Sequence, residues 1–100
     1  MVKHVVMFKL KDFSTENEKE QKLDQLYEML ARLKDKVPQI KEYEVGKNMS
    51  SSASSFDLVL VAGFESEEDL EVYRRHPEHV KVLDFIGKVK DMLAVVDYTV

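Results

Sequence analysis

Hydrophobic and polar positions alternate from Val2 to Leu10. Val2, His4, Val6, Phe8 and Leu10 share one face, and Lys3, Val5, Met7 and Lys9 share the other. A period of two predicts a strand. The period then changes. Leu23, Leu26, Leu30, Leu33 and Val37 recur at steps of three and four, the apolar stripe of one helix. Thr15-Glu16-Asn17-Glu18 precedes that run with the spacing of a capping box, Thr15 at the N-cap and Glu18 at N3. Pro38 ends the helix, because the residue before a proline is pushed out of helical geometry. The stripe is too short for sustained heptads, so it reads as a core face and not as a coiled-coil seam.

Alternation returns from Lys41 to Met49, where Tyr43, Val45, Lys47 and Met49 oppose Glu42, Glu44, Gly46 and Asn48, a half-exposed strand. Ser50 to Ser55 holds five serines and one alanine and reads as a polar loop. Phe56 to Phe64 is a third strand, uninterruptedly apolar from Leu58 to Ala62. Ser66, followed by Glu67, Glu68 and Asp69, caps a short helix running to about Arg75. Pro77, well tolerated at N1, starts a third helix with Val82, Ile86, Val89 and Leu93 as its core stripe. Gly87 inside it costs about 1 kcal/mol relative to alanine. Ala94 to Val100 is the last strand.

The order β-α-β-β-α-β, with the second helical segment split, predicts an α+β, ferredoxin-like protomer: a four-stranded antiparallel sheet with helices on one face. The opposite face should be polar at every second position if water covers it. It is not, since Val5 and Met7, Val59 and Val61, and Val96 all fall there. The simplest cover is the same sheet of a second copy. The expectation is therefore a homodimer through the sheet faces, a dimeric α/β barrel whose interior could hold a ligand.

Composition narrows the function classes. One hundred residues, 44% hydrophobic, make a single domain over 1–100 with one modest core. The net charge is −4 and the basic residues are interleaved with acids, so no basic stripe awaits a nucleic acid. There is no cysteine, which removes disulfides and thiolate chemistry. No apolar run approaches the roughly 20 residues of a membrane span, and Met1 to Leu10 alternates where a signal peptide would form an apolar block. A soluble, cytoplasmic protein is expected.

The densest chemistry lies in Tyr73-Arg74-Arg75-His76-Pro77-Glu78-His79-Val80-Lys81-Val82. His76, directly before Pro77, is placed as a helix cap, and Glu78 at N2 suits the positive end of the helix dipole. His79 near a helix start favours the neutral imidazole, the form a general base needs. A buried Tyr73 phenol needs a partner. The two read either as a structural pair bridging short helices or as a site. His4, on an apolar strand face, is either hydrogen-bonded core or a group orienting a ligand. His76-x-x-His79 lacks the zincin pattern and spans a proline break, so no metal is expected. A Gly-rich phosphate loop and a nucleophile elbow are both missing, so no cofactor is expected either.

The segments "HVVMFKLK", "VGKNMS", "FDLVLVAGFESEEDLEVYRRHPEHVKV" and "VVDYTV" together resemble the stress-responsive dimeric α/β-barrel domain family, from Lys3 to Val100. The resemblance implies a ferredoxin-like protomer that dimerises through its sheets. It also implies a Tyr and His catalytic pair, as in a plant cyclase of the family that closes a polyketide ring by metal-free aldol chemistry. That pair falls on Tyr73 and His79, and a pocket histidine falls on His4. Val6, Phe8 and Leu58 would complete the substrate-binding wall. Leu58 replaces a histidine of that cyclase, which implies a more apolar pocket. The reading is thus a homodimer binding a small apolar carbonyl or phenolic molecule, with His79 as base. A non-catalytic interaction module with a packed interior and a cofactor-free oxygenase of small aromatics remain open beside it.

Overall fold

The computed structural model describes residues 1–100 and contains β1 (Val2–Leu10), α1 (Glu16–Lys36), β2 (Glu42–Lys47), β3 (Leu58–Phe64), α2 (Glu67–Arg75), α3 (Pro77–Val89) and β4 (Lys90–Thr99). The sheet order is β2-β3-β1-β4 with every pairing antiparallel. This is the ferredoxin-like protomer that the period changes predict. No helix is long and apolar enough to cross a membrane.

The helix ends follow local chemistry. The Thr15 hydroxyl accepts from the Glu18 backbone N–H at 3.0 Å, and that of Ser66 accepts from Asp69 at 3.2 Å. At the α2–α3 break His76 is extended, with φ −60° and ψ 134°, and its Nδ1 accepts from the Glu78 N–H at 3.1 Å. It is a histidine N-cap, as its place before Pro77 predicts.

Two boundaries differ from the sequence reading. Helix α3 stops at Val89, and Leu93 belongs to β4, paired with Phe8. Leu93 fits the helical spacing Val82, Ile86, Val89 and equally the strand spacing Leu93, Val95. The exposed backbone edge of β1 decides, because pairing there extends β4 back to Lys90. Strands β2 and β3 are shorter than their alternation suggested. At the N-terminal end of β3 the Asp57 Oδ2 accepts from the Leu10 N–H at 2.8 Å, a side-chain bond in place of the next ladder bond.

Along β1 and β3, His4, Val6, Phe8, Leu58, Leu60, Ala62 and Phe64 are buried beneath the helices, against the α1 stripe of Leu26, Leu30 and Leu33. The opposite face has no helix. On it the register aligns Glu44, Val61, Val5 and Val96 in one row and Gly46, Val59, Met7 and Ala94 in the next. Val59 and Val61 are half-buried there, while Met7 and Val96 remain 41% and 53% exposed. A contiguous apolar patch of this kind is what the sequence expectation of a sheet-to-sheet dimer requires. Sedimentation at micromolar concentration is expected to show a dimer. Val61→Asp is expected to shift it to monomer with its helical circular dichroism kept, and a monomeric wild type would mean the patch is ordinary surface. His76→Ala removes the α3 cap and is expected to lower stability by about 1 kcal/mol in a denaturant titration.

Candidate functional site

One row of the sheet's helix-facing side holds His4 and its neighbours in place. Tyr43 pairs with Ala62, Ala62 with His4, and His4 with Asp97, so four strands place these side chains in line. Ala62 is the small member between two rings. Tyr73, from the last turn of α2, makes ring contacts with both: its centroid is 6.4 Å from Tyr43 and 6.0 Å from His4. It also contacts Phe64 at 5.3 Å and His79 at 4.4 Å.

Each imidazole has a defined Nδ1 partner. His79 Nδ1 lies 3.0 Å from the Arg74 carbonyl oxygen, which only accepts, so Nδ1 carries the proton and Nε2 keeps its lone pair. Burial lowers the His79 pKa below its ordinary 6.5, with the Arg74 carbonyl opposing and nearby His4, Arg74 and His76 reinforcing. His4, 6% exposed, has Nδ1 at 2.5 Å from Asp97 Oδ1. The carboxylate fixes Nδ1 as that ring's N–H as well. Asp97 Oδ2 is in turn held by Arg74 at 2.5 Å, and the same guanidinium meets Glu71 at 2.5 Å. The positive charge beside the site is therefore answered by two carboxylates. Burial pushes the Tyr73 phenol up to about 12, a rise that its hydrogen bond with Tyr43 moderates. Tyr43 is raised further by its own burial and by Tyr73.

These groups stand at one side of a cavity of about 270 Å³. Its lining includes His4, Tyr73, Arg74 and His79, and nine of its twelve residues are hydrophobic. That volume is just below the usual range of about 300–1,000 Å³ for ligand pockets, so the space suits a small, largely apolar molecule. Leu93 and Val95 of β4 border it and remain 43% and 52% exposed, because the helices do not reach over this edge of the sheet. Tyr73 borders the cavity yet exposes none of its own surface. A ligand oxygen reaches its hydroxyl only as neighbouring side chains shift. No group of three or more His, Cys, Asp or Glu side chains converges at metal-binding distance.

The structure brings together His4, Val6, Phe8, Tyr73 and His79 around this cavity. Leu58 is not among them. It is buried opposite Phe8, outside the cavity, and Leu60, paired with Val6, supplies the third-strand wall. A step of two along a strand keeps the face and changes the place, and the apolar run gave no signal to choose between them. The cavity lies between the sheet and the helices of one chain, on the His4 face that the helices cover. Sequence reasoning missed Asp97, Arg74 and Tyr43. Asp97 did leave a signal, as the one charge in the run Ala94 to Val100.

Comparison with known proteins places this geometry. The chain matches the model of the family described as the stress responsive A/B barrel domain over residues 2–100. It is 31% identical over 98 residues to the Arabidopsis thaliana stress-response A/B barrel domain-containing protein DABB1, covering 98% of this chain and 46% of that one, so it spans about half of that relative. It is 29% identical over 100 residues to olivetolic acid cyclase from Cannabis sativa, covering 98% of this chain and 95% of the cyclase. A dimeric ferredoxin-like protein of unknown function from Bacteroides fragilis superposes with a TM-score of 0.89 at 33% identity, over 99% of this chain and 95% of that one. With the family match running from the second residue to the last, the chain belongs to the stress-responsive A/B barrel domain family.

Proposed function

We propose that the protein is a homodimer whose protomers each bind a small, largely apolar carbonyl or phenolic molecule, and that His79 takes a proton from the carbon beside a carbonyl. The observation that carries this reading is the apolar cavity with His4, Tyr73 and His79 gathered at one side. The likeness to a cyclase and to a dimeric solved structure supports it. An open cavity also favours a binding protein over a module with a packed interior.

The chemistry follows from proton positions. His79 is neutral near pH 7, with Nδ1–H on the Arg74 carbonyl and a basic Nε2. When Nε2 abstracts the proton, the C–H bond breaks, an N–H bond forms, and the electron pair moves onto the carbonyl oxygen as an enolate. The Tyr73 hydroxyl donates to that oxygen as charge develops. His4, held by Asp97, orients the same ligand. If the molecule contains a second carbonyl, the enolate carbon adds to it, a C–C bond closes, and the imidazolium returns its proton to the new alkoxide. The ring closure is redox-neutral. Arg74 is already paired with Asp97 and Glu71, which favours a neutral ligand over a carboxylate.

The test is α-proton exchange of small methyl ketones into D2O, followed by NMR. The wild type is expected to accelerate it and His79→Ala to abolish the acceleration with the dimer intact. Tyr73→Phe is expected to weaken ketone binding by about 0.5–1.5 kcal/mol, one neutral hydrogen bond. If His79→Ala lowers only the melting temperature and no ketone or phenol binds, the pair is structural.

The pH dependence has a defined sign. The folded chain binds the His79 proton less readily than the unfolded chain, whose value is the ordinary 6.5. The exchange rate should rise with pH through a midpoint below 6.5 and then stay level. The stability linked to His79 should be present above 6.5 and lost as pH falls through the folded value, and this pH dependence should be absent in His79→Ala.

A further inference from the structure

Tyr43 stands on β2, at the opposite edge of the sheet from β4, and does not line the cavity. Its hydroxyl is nonetheless the one hydrogen-bond partner of the Tyr73 hydroxyl, at 3.5 Å, and Tyr73 is fully buried. Either oxygen could be the donor. The surroundings decide. On the cavity side the His79 ring contacts that of Tyr73, and the Arg74 guanidinium is already taken up by Asp97 and Glu71. His79 commits its Nδ1 proton to the Arg74 carbonyl, so its Nε2 offers Tyr73 only a lone pair, and His4 commits Nδ1 to Asp97. A ketone or enolate oxygen is an acceptor too. A phenol has one proton to give and can accept on oxygen. Tyr73 therefore spends its proton toward the cavity, and its oxygen is left to accept from Tyr43.

We propose that Tyr43 is a positioning residue of this site: it donates to the Tyr73 oxygen from behind and so fixes Tyr73 as a hydrogen-bond donor toward the cavity. A donor behind Tyr73 also polarises its O–H and strengthens the bond it gives in front. The direction in which Tyr43 moves Tyr73's acidity agrees. The sheet register supplies the placement, since Ala62 between Tyr43 and His4 leaves a gap for a ring from the helical layer. The inference rests on the cavity being a binding site for an acceptor oxygen, but the phenol pair can be tested without any ligand.

Replacing Tyr73 with a fluorinated tyrosine lets its ionisation be followed by 19F NMR, with and without Tyr43→Phe. Removing the donor is expected to lower the ionisation constant of the residue-73 phenol roughly three- to tenfold, the factor of one ordinary hydrogen bond. The melting temperature of each variant checks that the fold is kept. Acetophenone, which has a carbonyl and no donor, is the ligand probe. Tyr43→Phe is expected to raise its Kd about two- to tenfold in the wild-type background and to change nothing in the Tyr73→Phe background, because its effect passes through that hydroxyl. An unchanged 19F titration overturns the proposal, whatever acetophenone does. Equal effects of Tyr43→Phe on Kd in both backgrounds overturn it too, since a purely structural role would act without Tyr73. A shifted titration with no acetophenone binding in any variant supports the donor pair and counts against the binding function instead.

Discussion

Proline 77 has no N–H to give, and the placement of the candidate site follows from that. In an unbroken helix the Tyr73 carbonyl would accept from residue 77 and the Arg74 carbonyl from residue 78. The first donor does not exist, and the second is diverted when the Glu78 N–H turns to the His76 side chain. The Tyr73 carbonyl takes the His76 N–H instead, at 3.2 Å. The Arg74 carbonyl, left at a partly buried helix end, takes His79 Nδ1. A local backbone shortage thus selects one tautomer of one imidazole and leaves its other nitrogen basic. The stretch from His76 to His79 is helix punctuation, and the punctuation fixes which His79 nitrogen is free.

The sheet supplies the other half. Antiparallel pairing puts His4 beside Asp97 on one side and Ala62 on the other, with Tyr43 beyond. His4 is a buried polar side chain, and its carboxylate partner satisfies a ring nitrogen that would otherwise cost about 1–3 kcal/mol unpaired. The helices cover β2, β3 and β1 more fully than β4, and the uncovered strip becomes the cavity wall. The same sheet leaves valines and methionine uncovered on its far face. The cavity and this uncovered apolar face therefore lie on opposite sides of the sheet, with the Val61 side chain on the face away from the His4 row.

What the sequence made legible was what local periodicity and capping encode. The strand of alternating Val2 to Leu10, the Leu23-to-Val37 stripe, and the Thr15, Ser66 and His76 caps depend on neighbours within a few residues. Tyr73 and His79 were visible because they flank a proline whose effect is local. The α3–β4 junction was not, since Leu93 satisfies both periods and only the free edge of β1 decides. Asp97 lies 93 residues from His4, so their pairing depends on strand register. Tyr43 looked like any inward-facing strand residue, for its partner Tyr73 is brought in by α2. Leu58 and Leu60 are alike in chemistry, and only the position of the cavity along the strand separates them.

The central claim is the protonation state that the Pro77 break imposes on His79. Nitrogen-15 NMR of imidazole-labelled protein near pH 7 reads it directly, with His79→Gln to assign the ring. The account predicts a neutral ring with the proton on Nδ1 and a pyridine-type Nε2. A proton on Nε2, or an imidazolium at that pH, would contradict it, because the Arg74 carbonyl would then not have set the tautomer and His79 would have no lone pair to offer the cavity.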